Sequence, residues 1–241
     1  MEWRLETYET LASTSEMCRA RAAEPAGLAV MARRQEQGRG SFGRAWDSPA
    51  GNLYISVLLH PSGRLGDGGL WSLLAAVALA DAVQPLLPDP AALRLKWPND
   101  LLLNGGKLAG ILLDSAADGQ GGFASLVIGI GVNLAHRPNL PDRPTASIAD
   151  VTPPPSPDEF APALLASLAD YVSLQAAEGF APIRAAWLRY GPALGTRLRL
   201  TQGATEENGT FAGLAENGSI LLNVDGAIRP YAAGEIRIAH V

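Results

Sequence analysis

The chain changes character once, near Gly195. Downstream of it, five short runs of β-forming residues (196–200, 209–214, 219–224, 227–231 and 235–238) follow one another. Asn208-Gly209, Asn217-Gly218 and Asp225-Gly226 stand between them as turn signals, because these residues accept the positive φ of a tight hairpin. A meander of five small strands suits a small barrel. Fewer than fifty residues bury little core alone, so the barrel is expected to pack on what precedes it. Upstream, helix and strand signals mix. Ser13-Thr14-Ser15-Glu16 is an N-cap with a nearby acid and opens a helix to about Ala23. Residues 28–33, 53–59, 93–97, 101–103, 107–114 and 123–134 read as strands, and 70–87, 158–177 and 182–190 as helices. Asn104-Gly105-Gly106 marks a hairpin between two of the strands. The expected fold class is α+β: a mixed sheet covered by helices (domain 1–192), then a small β barrel (domain 193–241).

Composition removes several function classes. With 241 residues and a net charge of −5, the chain lacks the basic face of an electrostatic nucleic-acid binder, so no nucleic-acid partner is expected. Cys18 is the only cysteine, which rules out an internal disulfide and a Cys-rich zinc site and favours a reducing cytoplasm. The start, Met1-Glu2-Trp3-Arg4-Leu5-Glu6, does not read as a signal peptide. The apolar stretch 70–87 contains Ser72, Asp81 and Gln84 and reads as a buried helix, so no membrane partner is expected. His60, His136 and His240 have no metal-ligand spacing, and no metal held by the protein alone is expected.

Three stretches carry chemistry. Of the 19 cationic side chains only Lys96 and Lys107 are lysine, and both fall in one short segment. Lysine is a compact point charge where arginine is a planar fork, so their survival here hints at a need for an ammonium. Lys107 enters an apolar strand, which is unusual unless its charge meets an anion, and Gly110 would let a ligand lie against that strand. Lys96 opens Trp97-Pro98-Asn99-Asp100, where it could neutralise a phosphate or pair with Asp100; Asn99 and Asp100 could bind a metal–phosphate group or hold each other. The loop 37–46 holds glycines that admit a ligand to the backbone, the forks of Arg39 and Arg44, and the flat face of Trp46. It is neither a P-loop nor a good dinucleotide fingerprint, and a solvated surface loop is an equal alternative on this stretch alone. In Ile128-Gly129-Ile130-Gly131-Val132-Asn133, alternating glycines suggest close approach to the backbone, either by a ligand or by tight sheet packing.

Taken in order, Gly38-Arg39-Gly40-x-x-Gly43-Arg44-x-Trp46-x-Ser48-Pro49-x-Gly51-Asn52-Leu53-Tyr54, then Lys96 to Asp100, then Lys107-Leu108-Ala109-Gly110-Ile111-Leu112, then Gly129 to Asn133, resemble the biotin protein ligases. Ser13-Thr14 is similar to that family's early Ser-Thr-Asn motif, and Gly234-Glu235-Ile236 resembles part of its C-terminal SH3-like domain. The resemblance implies a class II synthetase-like catalytic fold and a two-step reaction. Biotin's carboxylate attacks the α-phosphate of Mg-ATP to give biotinoyl-5′-AMP. A lysine on the biotin carboxyl carrier domain of a carboxylase then attacks the anhydride. It further implies that Lys107 and Arg39 are catalytic, with Lys107 bridging the biotin carboxylate and the α-phosphate. Biotin would be held by Ser13, Thr14, Ser15, Gln35, Arg39, Gly40, Ser41, Lys107, Gly110 and Gly129. ATP, with its Mg2+, would be held by Arg44, Trp46 stacking on adenine, Lys96, Asn99, Asn133 and Arg137.

Two positions depart from the family pattern. Ser15 stands where the family usually has Asn, and Ser41 where many members have Arg, so a cation is missing from the loop over the adenylate. Only about a dozen residues precede Ser13, which implies the form without an N-terminal DNA-binding domain. The alternatives are a lipoate or octanoate ligase, and a non-catalytic biotin or nucleotide sensor. The Lys-Trp-Pro-Asn-Asp segment and the β domain favour biotin. The paired Lys107 and arginine loop argue against a sensor, because binding alone needs less charge neutralisation. An exposed sheet edge is compatible with a homodimer.

Overall fold

The computed structural model describes residues 1–141 and 143–238, except for the side chain of Phe42; His240 lies outside the described residues. Seven strands, β1 (Arg4–Leu11), β2 (Leu28–Gln35), β3 (Leu53–Leu59), β4 (Leu93–Lys96), β5 (Asp100–Leu103), β6 (Gly106–Ala117) and β7 (Phe123–Val132), form one sheet. Its order is β1-β2-β3-β7-β6-β5-β4. The sheet is mixed because β1 runs parallel to β2 while the other neighbours are antiparallel.

Strand periodicity divides the side chains between two faces. Leu53, Ile55, Val57 and Leu59 of β3 join Leu126, Ile128, Ile130 and Val132 of β7 in the main core, under α2 (Gly68–Val83), α3 (Pro157–Glu178) and α4 (Ala181–Tyr190). On the other face Leu58 and Val127 meet Leu28, Val30 and Cys18 in a small second core under α1 (Thr14–Ala20). The Cys18 thiol donates to the Ser56 carbonyl at 3.4 Å, and burial pushes its pKa up to about 12, so this lone cysteine is structural. The helical run Leu65–Leu86 is apolar enough to span a membrane by length and composition. Here α2 is buried between the sheet and the other two helices, as its unbroken apolar character requires.

After α4 come β8 (Arg197–Gln202), β9 (Thr205–Leu214), β10 (Ile220–Val224), β11 (Ala227–Tyr231) and β12 (Glu235–Ile238), a second antiparallel sheet ordered β11-β10-β9-β8-β12. Asp225 and Gly226 make the expected turn, at φ 52° and 85°. Asn208-Gly209 does not make one. β9 runs straight through it, and the reversal comes earlier, where Gly203 has φ +60°. Gly209 has a different reason to be glycine, because a Cβ there would lie 2.8 Å from the Asn223 carbonyl on β10. The small sheet packs on the large one as expected. Leu198, Leu200, Phe211, Ile220, Leu222 and Ile236 belong to the main core, and Trp97 Nε1 donates to the Gly218 carbonyl at 3.0 Å.

Two further differences from the sequence reading concern the N-terminal region. α1 ends at Ala20, and β1 is a full edge strand with no strand signal of its own, since most of its side chains are exposed and polar.

Candidate active site

The site is laid on a patch of sheet where three of four paired positions are glycine. Gly110 of β6 pairs with Gly131 of β7, and Leu112 with Gly129. A bulge in the β5–β6 pairing makes Leu108 the extra residue, so Lys107 and Gly110 face the same side although three apart. A Cβ at Gly131 would come within 2.7 Å of the Trp46 indole. One at Gly110 would meet the same ring at 3.1 Å and Lys107 Nζ at 3.2 Å, and one at Gly129 would meet Ser15 Oγ at 2.6 Å. The alternating glycines therefore do serve close approach, and the groups approaching are the protein's own.

Trp46 reaches the floor on a small loop. Gly40 N–H donates to the Arg44 carbonyl at 2.7 Å and Trp46 N–H to the Gly38 carbonyl at 2.9 Å. Lys107 Nζ stands 5.5 Å from the indole centroid, within cation–π range. The indole Nε1 is buried and has no hydrogen-bond partner among the described residues. The ring forms one wall of the cavity that the glycine floor shares with Thr14, Gln35 and Lys107.

The polar base of the cavity comes from α1, β2 and β3. Ser13 caps α1, accepting from Glu16 N–H at 3.4 Å. Thr14 N–H donates to Gln35 Oε1 at 2.9 Å. Ser56, fully buried on β3, lies between the Thr14 and Ser15 hydroxyls at 2.8 and 3.0 Å. Sequence reasoning passed over Ser56, which looks like any small residue in a β run; its place in the period-2 alternation, opposite the core-facing Ile55 and Val57, is the signal that could have found it.

Charge gathers at the opposite end. Asp100, which the sequence offers as a partner for Lys96, holds Lys96 Nζ at 3.6 Å and also Lys107 Nζ at 2.5 Å. Lys96 also meets Glu235 of β12 at 3.4 Å, and Arg44 and Arg143 approach the same carboxylate at 3.6 and 3.8 Å. Burial works to raise the Glu235 pKa, but Lys96, Arg44 and Arg143 outweigh it and hold the pKa below the usual glutamate range. Between these residues and the small sheet opens a cleft of ≈530 Å3 lined by Arg94, Lys96, Lys107, Arg143 and Arg237 among others.

Ser13, Thr14, Ser15, Gln35, Arg39, Gly40, Ser41, Trp46, Asn99, Lys107, Gly110 and Gly129 thus line one cavity, and Arg44 and Lys96 border the adjoining one with Ser41 and Asn99. Arg39 lies near Glu16 and Asp114, at 3.8 and 3.7 Å. Asn99 and Asp100 do not hold each other. Asn99 Nδ2 donates to Ser41 Oγ at 3.0 Å and to the Ile111 carbonyl at 2.6 Å. Two expected nucleotide ligands stand apart. Asn133 is buried, its amide donating to the carbonyls of Ala146 and Lys107, where it ties the following loop to β6. Arg137 is exposed and paired with Asp150 at 3.0 Å.

The biotin/lipoate A/B protein ligase family model matches residues 10–133, the segment that builds this floor, base and loop. The chain belongs to that family. Among its relatives, a biotin–[acetyl-CoA-carboxylase] ligase of Paracoccus denitrificans is 38% identical over 86% of this chain and 88% of its own length. The bifunctional ligase/repressor BirA of Escherichia coli K12 is 32% identical over 88% of this chain, which spans 66% of that protein. Among solved structures, a biotin protein ligase from Aquifex aeolicus in complex with biotin and ATP matches this family member with a TM-score of 0.84. The identity is 25%, over 98% of this chain and 99% of that one.

Proposed function

We propose that this protein is an ATP-dependent biotin protein ligase that makes biotinoyl-5′-AMP and transfers the biotinoyl group to a lysine of a biotin carboxyl carrier domain. The observation that carries this reading is the position of Lys107. Its ammonium stands where the polar, glycine-floored cavity meets the cation-lined cleft, held by Asp100 at 2.5 Å. Two anions, a carboxylate and an α-phosphate, have to meet in the first step, and a cation at that junction lowers their repulsion. In this reading Ser13, Thr14, Ser15 and Gln35 hold the ureido ring over Gly129 and Gly110. Lys107 and Arg39 act at the reacting oxygens, and Ser41 and Gly40 close over them. ATP enters from the cleft, with Arg44, Lys96 and Asn99 on its phosphates and Trp46 on its adenine. Mg2+ enters with ATP as part of the Mg-ATP substrate. The Paracoccus denitrificans relative is a biotin–[acetyl-CoA-carboxylase] ligase, which favours biotin over lipoate.

We assign residues 1–192 to catalysis and 193–241 to the barrel, and we read the enzyme as cytoplasmic. β5 pairs with β6 only as far as Gly110, so β6 beyond it offers an edge on which a second copy could pair. The deciding experiment is ATP–pyrophosphate exchange with biotin or with lipoate, followed by transfer to a carrier domain. Exchange and transfer with biotin alone are expected. Exchange with lipoate instead, or biotin binding without exchange, would overturn the reading.

A further inference from the structure

Following the protons through the base of the cavity gives its hydrogen bonds a direction. The Thr14 backbone N–H can only donate, so the Gln35 atom 2.9 Å from it is Oε1. The other end of the amide agrees. Ser48 Oγ donates to the Trp46 carbonyl at 2.9 Å, so its contact with Gln35 at 3.1 Å is one in which Nε2 donates. With Oε1 assigned, the Thr14 hydroxyl 3.2 Å from it must be the donor. That commits the one Thr14 hydroxyl proton, so at 2.8 Å Ser56 donates and Thr14 accepts. Ser56 then has no proton left for Ser15, and at 3.0 Å Ser15 donates to Ser56. The order runs one way: Ser15 to Ser56 to Thr14 to Gln35.

We propose that Ser56 is a positioning residue that, through this one-way chain, makes the Ser15 oxygen a hydrogen-bond acceptor in the cavity and so selects a ring N–H of the ligand. The proposal rests on the biotin reading above. Ser15 Oγ lies over the bare Gly129 backbone, its proton turned inward and its lone pairs left to the cavity. Ser13 complements it. Its oxygen accepts the cap bond from Glu16 and leaves its proton for a carbonyl. One acceptor and one donor side by side match the N–H and C=O edge of a cyclic urea. An asparagine at position 15 would bring an amide with both an acceptor and a donor end, whereas the serine pair presents the acceptor alone, because Ser56 is fully buried and its proton has one destination.

The test compares biotin with its two carbamate analogues, in which one ring N–H or the other is replaced by O, in pyrophosphate exchange. The replacement is nearly isosteric but turns a donor into an acceptor. Wild type should reject one analogue strongly, because two acceptors would then face each other. Ser56→Ala releases the Ser15 proton to turn outward. It should raise KM for biotin about tenfold, change kcat far less, and shrink the discrimination against that analogue about tenfold or more. Ser56→Thr, which keeps the hydroxyl, should restore the discrimination. Ser15→Ala and Ser15→Ala/Ser56→Ala should discriminate equally, since Ser56 acts only through Ser15. If wild type exchanges with biotin but Ser56→Ala keeps the same discrimination ratio, Ser56 is merely structural and the proposal falls. If wild type does not exchange with biotin at all, the biotin reading falls and takes the proposal with it.

Discussion

Lys107 and Lys96 share one carboxylate at different ranges, 2.5 and 3.6 Å from Asp100. Lys107 sits among Asp100, the Trp46 face and Gly110, where a compact ammonium and a planar guanidinium fork make different contacts. Lys107→Arg should therefore lower pyrophosphate exchange with biotin by about 100-fold or more although the charge is kept. Lys96 bridges two carboxylates at longer range, 3.6 and 3.4 Å, and does not line the glycine-floored cavity, so Lys96→Arg should cost about fivefold or less. Equal losses would mean that the two lysines are ranked wrongly. Ser41 takes a hydrogen bond from Asn99 across the cavity but brings no charge to it. Ser41→Arg should slow biotinoyl-AMP dissociation about tenfold, and an unchanged rate would show that this departure is silent. Lys107 is legible in the sequence because an ammonium entering an apolar strand is out of place without an anion. Ser56 and the contact of Asp100 with Lys107 are not, because they arise from cross-strand neighbours that no local pattern names, whereas the pairing of Asp100 with Lys96 is local enough to read. Asn133 shows the reverse: it lies in a recognisable motif, yet its amide ties backbone to backbone.

The elements divide in a similar way. The long β3, α2, β6 and β7 are legible because apolar periodicity is strong and uninterrupted. β1 is hidden because an edge strand with a mostly solvated face needs few apolar residues. Asn208-Gly209 misleads because glycine there provides clearance from the Asn223 carbonyl, not a positive φ, while the true reversal at Gly203 lacks an Asn or Asp partner. Clearance glycines can be told apart by what they clear. Gly209→Ala would press a methyl against neighbouring backbone, which cannot swing aside, and should lower stability by about 1–3 kcal/mol with activity per folded molecule retained. Gly131→Ala would press on the Trp46 ring, a side chain on a loop. It should leave thermal stability nearly intact while displacing the indole and cutting exchange activity. Thermal melts and exchange assays on both variants check this; the same balance of effects in both would refute the distinction.

At the scale of the whole molecule, the small C-terminal sheet is clasped to the seven-stranded sheet by an apolar seam and by Glu235 with its ring of cations. Those cations hold the Glu235 pKa below its ordinary 4.5 against the opposing effect of burial. A depressed carboxylate contributes its stability in full above the unfolded value, and that contribution fades as pH falls through the folded one. Glu235→Gln should therefore lower the melting temperature at pH 7, and its deficit against wild type should shrink below pH 4.5; a deficit that grows on acidification would contradict the sign. That the barrel would dock is legible from its small size, but the partner residues on the catalytic side are not, because Lys96 and Glu235 lie far apart in the chain. The place of the indole also carries a consequence for time. The Trp46 ring lies against Gly110 and Gly131, on the floor that the biotin reading gives to the ligand, so the ring has to move before a ligand can occupy that floor. Association should then behave as a gated process. In stopped-flow mixing, the observed rate should level off with rising biotin concentration at the opening frequency of one indole, and a rate that climbs in a straight line would mean that the gate stands open in solution.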